Sequence, residues 1–179
     1  MGTLKRILAI LGCLLCIYPI CYQNATRIGE EEIVRQYRRG FCSDGVIGIL
    51  EISTIRVLLP IYEGITEDVL QKGIGHLEMS SPLGGGNSTH CLLAGHRGLP
   101  EAELLTRLGE IEEGELFQIE INDKIYTYQV CEIRVIKPEE TEGLGIQEGR
   151  ELVSLITCTP YGINTHRLVV TGERLEEEK

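Results

Sequence analysis

Several residue types are scarce in this 179-residue chain, and each scarcity argues against a class of function. Trp is absent and Phe occurs only twice, so flat aromatic surfaces for stacking bases or sugar rings are poorly supplied. Basic residues are also few: 17 Lys and Arg stand against 27 Asp and Glu, a net charge of −10. A nucleic-acid-binding protein needs a basic face, and this composition argues against one.

The chain does contain enough apolar sequence for the packed core of one domain. Apolar residues make up 42% and charged residues 25%, which is typical of a globular protein. There are seven cysteines, an odd number, so not all of them can pair within the chain. Three of the seven lie within the first 22 residues, and the other four are Cys42, Cys91, Cys131 and Cys158.

The first 22 residues differ in composition from the rest. Lys5 and Arg6 precede an apolar run of 16 residues, Ile7 to Tyr22, and no acidic residue occurs before Glu30. A helix of this run would be about 24 Å long, slightly short of a hydrocarbon core. A cleaved secretory signal and an uncleaved anchor both fit, and we favour the anchor because bulky residues stand where a small-x-small cleavage pattern is expected. We therefore predict a single membrane helix at 1–22, with the remaining chain, of net charge −12, outside the cell.

Beyond the anchor, the pattern predicts a leading helix and then a mainly β domain. Residues 24–39 have helical spacing of apolar side chains, and we assign 23–45 to this helix and a linker. In 46–179, short strand-like runs alternate with turn residues, a spacing that favours a closed β-barrel over a parallel α/β sheet. The predicted strands are 46–52, 55–62, 89–96, 115–122, 124–136, 151–158 and 165–174, with short helices at 66–73 and 100–109.

The last two predicted strands bring a thiol and a guanidinium together. Cys158 ends one strand and Arg167 follows nine residues later, across the turn sequence TPYGIN. If the hairpin is centred between Gly162 and Ile163, the two residues are cross-strand partners on one face, with Cβ atoms about 5 Å apart. His166 then points to the other face, because side chains alternate along a strand.

A base for Cys158 would have to come from another strand, and His96 is the candidate. His90 and His96 would lie about 20 Å apart on one regular strand, too far to share a zinc ion. The glycines at 84–86 lack the Lys-Ser/Thr that follows in a phosphate-binding loop. We predict no metal and no cofactor. On spacing alone, Cys158 is either a catalytic thiol or a buried strand cysteine.

Two segments resemble the signature segments of sortases. They are THCLLAGHRG at 89–98 and LITCTPYG at 155–162, and LPIY at 59–62 and GHL at 75–77 fit the same alignment. The resemblance runs from about Val46 to Arg174, and PYGINTHR at 160–167 is most similar to the pilin-polymerising class C branch.

The resemblance implies a membrane-anchored cysteine transpeptidase of Gram-positive surfaces, built on an eight-stranded sortase-type β-barrel with two or three short helices. Cys158 matches the nucleophile that cleaves an LPxTG-like sorting signal between Thr and Gly and forms a thioester. His96 matches the catalytic histidine, and Arg167 matches the arginine that steadies the substrate and the oxyanion. An amine, from a pilin lysine or a cell-wall peptide, then resolves the thioester. We also expect Thr157, Thr89 and Arg97 to contact substrate, and His90 and His166 to be wall or surface residues.

The chain departs from the class C pattern in two places. Residues 41–45 lack the Asp-Pro-aromatic motif of the class C lid, so we expect no lid of that kind. Residues 175–179 are an acidic tail rather than a C-terminal membrane helix. General anchoring of surface proteins therefore stays open beside pilus polymerisation. Two further alternatives are a secreted cysteine hydrolase with water as acceptor and a non-enzymatic barrel that binds a surface partner.

Overall fold

Eight strands close into a barrel in the computed structural model, which describes residues 2–40, 45–100 and 102–175. Hydrogen-bonded neighbours follow the order β1-β2-β3-β4-β7-β8-β6-β5, and β5 closes on β1. The predicted closed, mainly β architecture is confirmed. The strands are β1 (Val46–Ile52), β2 (Val57–Glu63), β3 (Ile74–His76), β4 (Thr89–Ala94), β5 (Leu116–Ile121), β6 (Lys124–Ile136), β7 (Glu151–Thr159) and β8 (His166–Arg174).

The predicted β5–β6 hairpin is confirmed, and its turn has the backbone geometry that the pattern requires. Asn122 and Asp123 both have positive φ, 47° and 64°. Two such residues form the mirror-image turn whose twist matches that of the flanking strands. The short strand β3 was not predicted, because three residues are too few to show an alternating pattern; it pairs parallel with β2.

The predicted helix over 100–109 is wrong. A 3-10 helix covers only Thr106–Glu110, and a second one covers Ser53–Ile55. Leu104 has a φ of 39°, which lies outside the right-handed helical region, so no regular helix runs through this residue. Leu104, Leu105 and Leu108 are all buried in the barrel core, so tertiary packing outweighs the local helical preference.

Two α-helices accompany the barrel: α1 (Gly2–Arg38) and α2 (Glu67–Leu70). The predicted helix at 24–39 is thus the C-terminal part of one long helix. Arg38 joins it to the barrel through ion pairs with Glu120 at 2.8 Å and Glu51 at 3.4 Å. Within the described residues, no helix combines the length and the apolar character needed to cross a bilayer. The stretch in which we expect no lid, 41–45, lies mostly outside the described residues, because 41–44 are not among them.

Side chains alternate between the barrel interior and its outer face, and this alternation decides what surrounds the site. Val153 and Leu155 of β7 belong to the core, whereas Ser154, Ile156 and Cys158 take the opposite face. The interior is filled by large apolar side chains from every long strand, among them Leu50, Ile52, Leu59, Ile61, Leu93, Phe117, Ile119, Tyr128, Leu155 and Val170.

Candidate active site

The hairpin of β7 and β8 brings Cys158 and Arg167 together. They are directly paired across the two strands, as the nine-residue spacing predicts. Cys158 is partly exposed on the outer face. His166 pairs instead with Thr159, and its Nδ1 lies 2.9 Å from the hydroxyl of Thr165. The thiol therefore has a cationic neighbour across the hairpin, and His166 belongs to the opposite face of the sheet.

Arg167 is held by backbone carbonyls at the end of its own hairpin. Its Nη1 donates to the carbonyl oxygens of Asn164 at 3.3 Å and His166 at 3.1 Å. A guanidinium carries five N–H donors, so this anchoring still leaves donors for a bound ligand. Asn164 has a φ of 60°, a left-handed conformation that Asn tolerates well, and its carbonyl is one of these two acceptors.

β4 ends at Ala94, two residues earlier than the predicted strand end, so His96 lies just beyond the strand. Gly95 donates its N–H to the carbonyl of Ile156 at 3.0 Å, and the carbonyl of His96 accepts from Leu105 N–H at 3.2 Å. A Cβ at Gly95 would come within 2.7 Å of the Ile74 side chain, so any larger residue there would require that side chain to shift. These contacts hold His96 beside the strand end that carries Cys158.

Glu67 is a site residue that sequence reasoning missed. Its Oε1 lies 3.2 Å from His96 Nε2, and both side chains are partly exposed, 64% and 28%. Hydrogen bonds from Gln71 and His96 lower the pKa of Glu67 from its ordinary value. Its place in the first turn of α2 was the one available signal, and that signal is common to many helix starts.

Thr157 and Arg97 join the His96 loop to the end of β7. The Thr157 hydroxyl donates to the Gly95 carbonyl at 2.8 Å, and Arg97 Nη1 donates to the Cys158 carbonyl at 3.3 Å. Thr157 is 2% exposed and its hydroxyl fastens the loop at Gly95, while its expected contact with substrate stays a prediction. The buried Nε of Arg97 has no hydrogen-bond partner within the described residues.

Thr89 does not belong to this cluster. It begins β4 and pairs with Glu151, five residues before the β4 end, which is about 17 Å away along the strand. Its hydroxyl donates to the carbonyl of Gly86. The position therefore does not support the expected contact between Thr89 and substrate.

An apolar strip on the outer face leads to Cys158. Leu92 and Ala94 of β4 are half-buried, as is Ile156 of β7, and Ala94 pairs with Ile156. In an antiparallel or parallel sheet, residues two apart on a strand share a face, so these side chains and Cys158 form one surface. Such a strip suits an extended peptide with apolar side chains.

The other thiol near the core is unsuited to chemistry. Cys91 is 2% exposed, and burial, with a further contribution from Glu63, raises its pKa to about 12. A thiol of that kind stays protonated at neutral pH and is a poor nucleophile. His90 is 1% exposed in the barrel wall, as expected. Within the described part of the chain, no three His, Cys, Asp or Glu side chains are grouped to hold a metal.

Comparison with known proteins gives one consistent result. The sortase domain family matches residues 50–175. Sortase D of Bacillus subtilis is 32% identical over 132 residues, which cover 72% of this chain and 63% of that protein. The chain thus spans less than two thirds of that relative's length.

Solved structures agree in fold and in sequence. Sortase C1 of Streptococcus agalactiae superposes with a TM-score of 0.73 at 46% identity, covering 75% of this chain and 69% of the other. Sortase C of Streptococcus pneumoniae, described in terms of pilin substrate specificity, gives 0.73 at 41% identity, with 79% and 72% covered.

Proposed function

The chain belongs to the sortase family, and on that premise we propose that it is a cysteine transpeptidase that cleaves an LPxTG-like sorting signal between Thr and Gly. The observation that carries the proposal is the direct pairing of Cys158 with Arg167 beside the His96 loop. The apolar strip of Leu92, Ala94 and Ile156 offers a surface on which the sorting peptide lies before cleavage.

In the first half-reaction, the Cys158 sulfur attacks the carbonyl carbon of the substrate Thr. The thiol proton passes to His96, a carbon–sulfur bond forms, the carbon–nitrogen bond to Gly breaks, and His96 gives that proton to the leaving amine. In the second half-reaction, an amine attacks the thioester and loses its proton to His96, which frees the thiolate. Because Nε2 of His96 is turned to Glu67, the ring must use Nδ1 or rotate to serve Cys158.

Arg167 supplies the positive charge for the tetrahedral intermediate in both half-reactions. A guanidinium stays protonated throughout, so it stabilises the oxyanion without taking part in proton transfer. The two carbonyls that hold its Nη1 limit its rotation, and this lowers the reorganisation needed when charge develops.

A pilin lysine is the acceptor that the resemblance to class C sortases favours, and a cell-wall peptide is the alternative. The S. pneumoniae and S. agalactiae sortase C structures support the class C branch. The two acceptors are distinguished by mass spectrometry of the product formed when peptide and candidate amines are supplied together. Hydrolysis with no response to added amine would instead favour a cysteine hydrolase.

We further propose that residues 1–22 anchor the enzyme in the cell membrane as a single helix, with the barrel outside. Lys5 and Arg6 before the apolar run from Ile7 to Tyr22 support this orientation. Residues 23–45 then form the leading helix and linker, and 46–179 the catalytic barrel. Fractionation of cells and protease digestion of intact cells test the proposal; a barrel found in the soluble interior would contradict it.

The deciding experiment compares Cys158→Ala with Cys131→Ala. Cys131 is exposed on another strand, so its removal changes the number of reactive thiols without touching the site. With an LPxTG-like peptide, we expect Cys131→Ala to form a thioester of the mass expected for acylation, and Cys158→Ala to form none and to cleave no peptide. Cleavage retained in a folded Cys158→Ala protein would overturn the proposed function.

A further inference from the structure

A buried hydrogen-bond chain crosses the outer face of the barrel, apart from the proposed reaction centre. His90 of β4 places Nε2 2.8 Å from the hydroxyl of Ser154 in β7. The Ser154 hydroxyl lies 2.7 Å from that of Thr171 in β8. On its other side, His90 Nδ1 lies 2.9 Å from the carbonyl oxygen of Gly145, in the connection between β6 and β7.

The direction of each hydrogen bond follows from the chemistry of its end groups. The Gly145 carbonyl can only accept, so Nδ1 of His90 carries the proton. In a neutral ring, Nε2 then accepts from Ser154, whose oxygen in turn accepts from Thr171. Burial lowers the pKa of His90, which agrees with a neutral ring. Ser154 is fully buried, so this arrangement is closed to substrate and its role must be exerted through the connection.

The connection, residues 137–150, runs along the face that carries Cys158. It leaves β6 at Ile136, which pairs with Arg167 at the site end of the barrel. It enters β7 at Glu151, which pairs with Thr89 at the other end. At Gly145 it contacts the buried His90 of β4, and the next residue of β4 on that face is Leu92, which begins the apolar strip that leads to Cys158. The connection therefore borders the strip.

Other contacts hold the connection as well. At its end, Arg150 pairs with Glu173 at 2.7 Å, and its carbonyl accepts from Thr89 N–H at 3.1 Å. Two further contacts are nearer to solvent. Arg134 donates to the Glu142 carbonyl at 3.1 Å, and Ser88 accepts from Gly149 N–H at 3.0 Å. The contact with His90 lies between these two. His90 is 1% exposed whereas Gly145 lies at the surface, so a buried side chain holds the middle of the connection from the barrel side.

We infer that His90 is a positioning residue for substrate recognition: its Nδ1–H fixes the connection at Gly145 as the wall of the peptide-binding strip. The inference rests on the proposed function, because it takes the strip to be the place where the sorting peptide binds. The group transferred and the chemistry at Cys158 do not depend on His90.

Two substitutions of His90 distinguish the contact of Nδ1 with Gly145 from the contact of Nε2 with Ser154. His90→Asn places an amide N–H where Nδ1 is and keeps a donor for Gly145. His90→Gln places an amide oxygen where Nε2 is, so it keeps the acceptor for Ser154 and loses the contact with the connection. We expect His90→Gln to raise KM for the sorting peptide about tenfold with kcat within about twofold, as loss of one binding contact predicts. His90→Asn should keep KM within about threefold of the wild type.

Thr171→Val is the matched control. It breaks the same hydrogen-bond chain beyond Ser154 and leaves the contact with Gly145 intact. We expect Thr171→Val to leave KM unchanged. An increase in KM as large as that of His90→Gln would show that general stability, and not the wall, is responsible, and would overturn the inference.

A second readout needs no catalysis. A Glu-specific protease cuts in the connection after Glu139, Glu140, Glu142 or Glu148. We expect native His90→Gln to be cut there at least fivefold faster than the wild type, and His90→Asn and Thr171→Val to be cut at the wild-type rate. If His90→Gln fails to fold, Arg134→Met, which removes the adjacent contact with Glu142, is measured in the same two ways.

The outcomes separate this inference from the proposed function. Wild-type KM and wild-type proteolysis in folded His90→Gln would overturn the role of His90 while transpeptidation stands. Faster proteolysis in a protein that transfers no sorting peptide would refute the proposed function and the recognition role, and would leave only the structural contact.

Discussion

At the scale of single residues, the proposed mechanism divides its steps among Cys158, His96 and Arg167 by chemical type. In that mechanism the thiol bonds to carbon, the imidazole moves protons, and the guanidinium carries a positive charge throughout. Arg167 is paired directly with Cys158 across the hairpin and anchored by two carbonyls. Its role depends on the geometry of its fork of donors as well as on its charge.

Arg167→Lys tests that distinction. Lysine keeps the positive charge but has neither the fork of donors nor the anchoring contacts. We expect kcat to fall by about 100-fold or more, the range measured when one oxyanion donor is removed. Circular dichroism and the thermal midpoint should stay those of the wild type, because Arg167 is half-exposed. Arg39→Lys, at an exposed position just after α1, is the control; activity retained in Arg167→Lys would show that charge alone suffices.

At the scale of structural elements, the site depends on how the end of β4 is fastened to the end of β7. Gly95 contributes both its N–H, to Ile156, and its carbonyl, to Thr157. His96 is the next residue, so these two hydrogen bonds fix the position of its Cα and hence the point from which its side chain extends. His96 is thus positioned by its backbone neighbours, and its ring contacts Glu67 of α2 through Nε2.

Thr157→Val removes the hydroxyl of that fastening at nearly constant volume. The Gly95 carbonyl loses a buried donor, and we expect a loss of about 1–3 kcal/mol in the free energy of unfolding. We also expect kcat to fall, because His96 moves with Gly95. Urea denaturation and steady-state kinetics measure the two effects. Thr127→Val on β6 is the control, because the Thr127 hydroxyl accepts a hydrogen bond from the partly exposed Gln118. This substitution should change neither the free energy of unfolding nor kcat by much. Equal losses in both variants would contradict the argument.

The contact between α1 and the barrel encloses a second group of charges, and it predicts a pH dependence. A cavity of about 260 Å³ separates the helix from β2 and the loop at 102–107, and Glu30 lines it. Burial first, and then the charges of Glu103 and Glu31, raise the pKa of Glu30 to about 7. Arg27, Arg56 and Arg107 line the same cavity.

The raised pKa of Glu30 determines whether the stability of the fold rises or falls with pH. Below the ordinary pKa of Glu, the folded and unfolded chains both hold the proton, and stability is highest. As pH rises toward about 7, the unfolded chain ionises more readily, so Glu30 destabilises the fold. We expect Glu30→Gln to match the wild-type melting temperature at about pH 4, below the ordinary pKa of Glu, and to exceed it at about pH 8. Glu113→Gln, an exposed control, should give no such divergence; parallel curves for Glu30→Gln would refute the shift.

At the scale of the whole molecule, the barrel interior is packed closely enough that one added methyl group should lower its stability. Phe117 stacks on Tyr128 with ring centroids 5.3 Å apart, and both rings are buried. A Cβ on Gly172 of β8 would come within 2.6 Å of the Phe117 ring. The buried Phe117 ring has little space into which it could shift, because protein interiors are close-packed.

Gly172→Ala should therefore destabilise the whole barrel, by about 1–3 kcal/mol as expected for overpacking. Gly29→Ala is the matched control: a Cβ there meets nothing within 4 Å, and alanine favours helix over glycine, so stability should hold or rise. Thermal or urea unfolding of the two variants measures the difference. A Gly172→Ala protein as stable as Gly29→Ala would show that the ring can shift.

Much of the fold follows from local patterns, and the misses share one cause. The strand limits of β1, the turn at Asn122 and Asp123, and the pairing of Cys158 with Arg167 depend on alternation and turn chemistry within short stretches. The helix expected at 100–109, the short strand β3 and the contact of Glu67 with His96 depend on packing partners far away in the chain. Local propensity carries no information about such partners.

The sequence by itself determined the closed β architecture, the family and the three residues of the proposed chemistry, because residue type and spacing are enough to specify them. Only the tertiary structure decided how those residues meet. Ala94 and Ile156 are neighbours because β4 and β7 pair in parallel, although 62 positions separate them in the chain. Closure of the barrel brings them together, and it also places His90 under the β6–β7 connection and Glu67 against His96.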